Sequence, residues 1–115
     1  MSKFVGEKVL MRIFIGEAKR HGHRPLYEAL TELFLKEGFA GATVLRGVCG
    51  FGAHRVFHTQ KFLDLSADLP LVIEVVDSRE KIDAVMPKID EMVGSGMITL
   101  ENVQVIRYTH KHEQR

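Results

Sequence analysis

The stretch Gly41-Ala-Thr-Val-Leu-Arg-Gly-Val-Cys-Gly-Phe-Gly52 is a β-rich run that closes on Gly50-Phe51-Gly52 and opens into a polar, histidine-containing segment. Val44, Leu45, Val48 and Cys49 suit a pleated, largely buried strand over 42–49, and glycines at its end let backbone N–H groups approach a ligand. A second glycine turn, Gly94-Ser95-Gly96, leads toward the last strand, on which Arg107 lies. No nucleophile–base or paired-carboxylate pattern accompanies them. Together these features point to a module that binds a phosphate-bearing small molecule, and not to an enzyme.

Upstream, residues 7–15 place Val9, Met11, Ile13 and Ile15 on one face and Leu10, Arg12 and Phe14 on the other, the two-residue period of a strand. The polar stretch 16–24 holds His21-Gly22-His23. Pro25 then supplies a preset φ for the first position of a helix whose stripe is Leu26, Leu30, Leu33 and Phe34, with Gly38 as a left-handed cap. Downstream, a loop over 51–68 precedes a strand at 71–76. Asp77 or Ser78 caps the second helix, striped by Ile82, Val85, Met86, Ile89, Met92 and Val93. Pro87 inside it predicts a kink. A last strand is expected over 103–108.

The order β-α-β-β-α-β predicts one α+β domain spanning 1–115, a ferredoxin-like sandwich with an antiparallel sheet and both helices on one face. Leu10, Phe14, Val72 and Val76 then occupy the other face. An apolar patch of that kind marks an interface, so self-association is expected.

With 16 Lys and Arg against 15 Asp and Glu, the formal charge of +1 recommends neither nucleic acid nor an anionic membrane. The RNA-recognition fold shares this element order, but the central strands lack its basic, aromatic-rich surface. The one cysteine, Cys49, rules out an internal disulfide and reads as a core thiol. Without a leader or a membrane-length apolar run, the expected location is cytoplasmic, with no direct membrane insertion. The pairs His21/His23, His54/His58 and His110/His112 invite a metal or ion sensor as the alternative function. They lack an evident third ligand, so no metal is expected.

Taken in order, Gly41-Ala-Thr-Val, Gly50-Phe-Gly, Leu69-Pro70, Ile73-Glu-Val-Val76, Gly94-Ser-Gly96 and Val105-Ile-Arg107 resemble the nitrogen-regulatory PII (GlnB-like) signalling proteins. Pro25-Leu-Tyr-Glu-Ala-Leu30 and His58-Thr-x-Lys61 look more like an uncharacterised PII-like family. The resemblance spans 38–109, and the 16–24 connection looks longer than its counterpart. It implies a homotrimer holding an adenine nucleotide in clefts between subunits. The site residues so implied are Gly41, Thr43, Gly50, Phe51, Gly52, Glu74, Val76, Gly94, Ser95, Gly96 and Arg107. The loop, with His54, Arg55, Phe57, His58 and Phe62, would contact a protein target such as a membrane transporter or an enzyme. Backbone N–H nests and a guanidinium fork are donors that a phosphate needs.

Departures from that pattern bear on the ligand. Met97 stands where PII proteins present a phosphate-binding lysine, and Thr109 where a second arginine is expected. AMP or ADP is therefore at least as suitable as ATP. Leu71 stands near the position of the lysine that binds 2-oxoglutarate in PII proteins, and the loop has no tyrosine to be uridylylated.

Overall fold

Strand β1 (Gly6–Gly16) alternates as its side chains require: Val9, Met11, Ile13 and Ile15 are buried, while Leu10, Arg12 and Phe14 are half-covered on the opposite face. The computed structural model describes residues 4–52, 57–59 and 68–109. After β1 come a small hairpin of β2 (Arg20–His21) and β3 (Arg24–Pro25), helix α1 (Leu26–Lys36), β4 (Ala42–Arg46), the short β5 (Cys49–Gly50) and β6 (His58–Thr59), β7 (Pro70–Asp77), α2 (Arg79–Val93) and β8 (Met97–Val105). The four long strands form one sheet in the order β4-β7-β1-β8, antiparallel at every junction. This is the ferredoxin-like arrangement, in which each of two β-α-β units brackets a strand of the other. Phe34, Leu26 and Leu30 of α1 and Ile82, Val85 and Ile89 of α2 meet Met11, Ile13 and Ile73 in a single core.

Ser78 caps α2, its side chain accepting from Lys81 N at 3.2 Å. Asp77 is buried and does other work: its carboxylate accepts from Ser78 N at 2.8 Å and Ala40 N at 3.0 Å, tying the α1–β4 link to the end of β7. Helix α2 is assigned continuously across Pro87, which lies on its exposed side. Losing that interior N–H costs about 3 kcal/mol. Burying Ile82, Val85, Ile89 and Val93 at roughly 1.5–3 kcal/mol each more than offsets it.

Three expectations are corrected. Pro25 is the N-cap of α1 and not its first helical residue, because its pairing with Arg20 and the Leu26 N–H donated to Lys19 O (2.8 Å) keep it extended, with ψ 136°. The strand expected over 42–49 leaves the sheet after Arg46, where its partner β7 is starting at Pro70; Gly47 N donates to Pro70 O at 2.7 Å, and Cys49–Gly50 pairs instead with His58–Thr59. Val48 and Cys49 are consequently exposed, Leu45 is exposed because it shares the open face with Val72, and Cys49 is not a core thiol. The last strand begins at Met97, well ahead of 103, and ends at Val105, pairing with β1 from Phe14↔Met97 to Gly6↔Val105. Its edge position tolerates Thr99, Glu101 and Asn102, which hide the strand from an apolar-pattern search.

Candidate nucleotide site

The residues singled out as ligand contacts divide between two ends of the sheet. At one end β1 finishes at Gly16, β7 starts at Pro70, β4 finishes at Arg46 and β8 starts at Met97. Gly50 packs here, since a Cβ on it would lie 3.2 Å from Pro70 Cγ. The Gly94-Ser95-Gly96 turn is here too. Gly94, at φ +64°, donates its N–H to Asp90 O at 3.3 Å and closes α2, so the turn is a helix cap whatever else it does. Asp68 accepts from Ala18 N at 2.7 Å, Glu17 pairs with Arg46, and Lys19 Nζ rests on the carbonyl and hydroxyl of Ser95.

At the other end lie Gly41, just ahead of β4, and Arg107, just beyond β8. Tyr108 Oη donates to Ala40 O at 3.1 Å, and its ring lies 5.2 Å from that of Phe4, so the segment after β8 crosses to the α1–β4 link. Arg107 is exposed and, among the described residues, has no ion-pair partner. At about 3.4 Å per residue, β8 alone holds the two ends roughly 27 Å apart. Gly41 and Gly52 share one property: a Cβ on either would meet nothing within 4 Å, and neither has a positive φ. Among the described residues, nothing packed against either position requires a glycine there.

Between the ends, on the sheet face away from the helices, the register brings Thr43 opposite Glu74 and Val76 opposite Leu10. Glu74 is already engaged: Arg12 Nε lies 2.8 Å from Glu74 Oε2, and Arg12 Nη1 lies 3.2 Å from Glu101 Oε1. The hydrogen bond to Glu74, ahead of the two carboxylate charges, raises the pKa of Arg12 above its ordinary value. Phe51 and Phe57 are exposed beside β5 and β6. His58 lies in β6, while His54, Arg55, Phe62 and most of the expected partner loop fall outside the described residues, as do His110, Lys111 and His112.

A cavity of about 590 Å³ opens on the helix side of β4, lined by Tyr27, Thr31, Phe34, Phe39, Gly41 and Val44 among others. Arg24 and Glu32 pair at 2.8 Å on its margin, and that hydrogen bond is the main reason the Glu32 carboxyl sits below its ordinary range. Only Gly41 joins this cavity to the expected contacts. No helix among the described residues is long and apolar enough to cross a membrane.

Comparison with known proteins fits this architecture. Residues 8–105 match the model of the DUF190 family, described as "Uncharacterized ACR". A UPF0166 protein of Aquifex aeolicus is 38% identical over 104 residues, covering 89% of this chain and 96% of that one. The solved structure of CPII, a nitrogen regulatory PII-like protein from Thiomonas intermedia bound to ADP, AMP and bicarbonate, covers 92% of this chain and 94% of its own, with TM-score 0.61 and 18% identity. Divalent ion tolerance protein CutA1 from Ehrlichia chaffeensis covers 94% of this chain and 88% of its own, with TM-score 0.57 and 8% identity. The two structures share the fold, and it is the sequence match that assigns kinship: the chain belongs to the DUF190 (UPF0166) family, here with a PII-like fold.

Proposed function

We propose that the protein is a PII-like regulatory module of the cytoplasm that binds an adenine nucleotide, AMP or ADP ahead of ATP, in clefts between the subunits of a homotrimer. It carries out no chemistry of its own, and the segment 51–68 meets a protein target. The observation that carries this reading is the division of the expected contacts between sheet ends about 27 Å apart. A single small ligand touches both sets only where the Gly50 and Gly94–Gly96 end of one subunit abuts the Gly41 and Arg107 end of a neighbour. Gly41 and Gly52, open and unstrained, are suited to such an approach. The half-covered Leu10, Phe14, Val72 and Val76 supply the face on which subunits associate. The structure of CPII with ADP and AMP supports the choice of ligand. The alternative, an ion sensor, draws on the CutA1 likeness, which extends to the fold alone.

Native mass spectrometry and calorimetric titration of the intact protein test the reading. A trimer binding ADP or AMP is the expected result, with Arg107→Ala weakening the nucleotide about tenfold to a hundredfold, the worth of one charge-assisted hydrogen bond. A stable monomer at micromolar concentration, or a trimer indifferent to all three nucleotides, would remove it. ATP binding a hundredfold tighter than ADP would refute the preference argued from Met97 and Thr109.

A further inference from the structure

Lys19 sits in the connection between β1 and α1, 76 positions before Ser95 in the chain, yet its ammonium is held at the glycine turn. Nζ donates to the Ser95 carbonyl and lies 3.3 Å from Ser95 Oγ. The backbone fixes it there: Lys19 N donates to Gly16 O at 3.2 Å, and Lys19 O accepts from Leu26 N at 2.8 Å, so the β2–β3 hairpin closes immediately behind it. The carboxylates nearby are committed elsewhere, Glu17 to Arg46 and Asp68 to Ala18 N. Among the described residues Lys19 has no carboxylate partner. Its charge therefore rests on two neutral oxygens, with a third N–H left to donate.

A half-covered lysine that pairs with no anion, held on a Gly-Ser-Gly turn, is placed to receive one. Resting on the nucleotide reading above, we infer that Lys19 is the phosphate cation of this end of the cleft, supplying from the β1–α1 connection the charge that Met97 fails to supply after the turn. Met97 projects from the first residue of β8, opposite Phe14 on the open face, and has no charge to offer. Gly41 and Arg107 of the neighbouring subunit border the base, ribose and nearer phosphate, so Lys19 meets the phosphate farthest from the base. Two cations, Arg107 and Lys19, then match a diphosphate. The ligand class narrows to a nucleoside diphosphate, ADP ahead of AMP.

The test is calorimetric titration of the intact protein with ADP, AMP and adenosine, with oligomer mass and circular dichroism as controls. Wild type should bind ADP more tightly than AMP. Lys19→Met should weaken ADP about tenfold to a hundredfold while changing adenosine little, so that the ADP-to-AMP preference collapses; Lys19→Arg should retain it. Lys19→Gln, which keeps a donor for Ser95 but removes the charge, serves the same purpose if the methionine variant does not fold. Should wild type bind nucleotide and either folded, uncharged variant keep the full preference for ADP, Lys19 is not the phosphate cation and the nucleotide reading stands without it. If wild type binds none of the three, both fall together.

Discussion

Arg12 and Glu74 face each other across the β1–β7 ladder, Nε to Oε2 at 2.8 Å, at the centre of a sheet face that is otherwise largely apolar. Leu10 and Val76 flank the pair on one side, Phe14 and Val72 on the other, and Glu101 closes on Arg12 from β8. Subunits that associate through this face take the pair out of water. Truncating one member of a desolvated pair is costly because the other is left uncompensated. Arg12→Ala would leave Glu74 and Glu101 as neighbouring like charges, and for the proposed trimer the expected outcome is dissociation at concentrations about tenfold higher, with the subunit fold retained. Analytical ultracentrifugation across a dilution series measures the first and circular dichroism the second.

Asp77 is the buried acid of the core rim, and two backbone donors depend on it, Ala40 N and Ser78 N. Asp77→Ala strands both. A fully buried donor left unsatisfied costs about 1–3 kcal/mol, and because these two are part-buried a loss of about 1–3 kcal/mol in all is expected in urea denaturation, with the slope unchanged.

Gly96 has a packing role separate from any ligand. A Cβ there would stand 2.9 Å from Val93 Cγ1 and 3.0 Å from Phe14 O, and the backbone oxygen cannot swing aside. Gly96→Ala should destabilise the subunit by about 1–3 kcal/mol, read from the thermal midpoint in the absence of nucleotide. An unchanged midpoint would contradict the close packing of the turn on β1.

The Arg24–Glu32 pair gives a pH signature. The hydrogen bond from Arg24 holds the Glu32 carboxyl below its ordinary 4.5. Its contribution to stability is therefore fully present above the pH at which an unfolded glutamate ionises, and fades as pH falls through the lowered folded value. The pair is exposed, so the effect on stability is small. Carbon-detected NMR should find Glu32 titrating below 4.5, and Arg24→Ala should return it toward that value.

Periodicity served the sequence well where one face is fully buried. β1, β7 and both helices carry their apolar residues at the spacing that their burial shows. It failed at the sheet edges. In β8 the open face holds Thr99 and Glu101 and the other holds Leu100, 41% exposed, and Asn102, so no stripe marks the first six residues. Cys49 and Val48 look like core because they are apolar, yet the ladder that would bury them ends at Arg46. The expected contacts could be named from the order of their motifs, but not their partition between sheet ends, which is a property of register. Lys19 was invisible for a related reason. A lysine in a polar connection resembles any solvated lysine until Ser95, far along the chain, is seen beneath it.

The clasp of Phe4 and Tyr108, with ring centroids 5.2 Å apart, also bears on the order in which the chain can be written. Phe4 and Tyr108 already touch, while the hairpin turn at Gly22 is exposed, with open space where a Cβ would stand. A circular permutant that links the Phe4 and Tyr108 segments and opens at Gly22 should therefore keep the four long strands paired, as circular dichroism would show. Connectivity would then be separable from the arrangement of the four long strands.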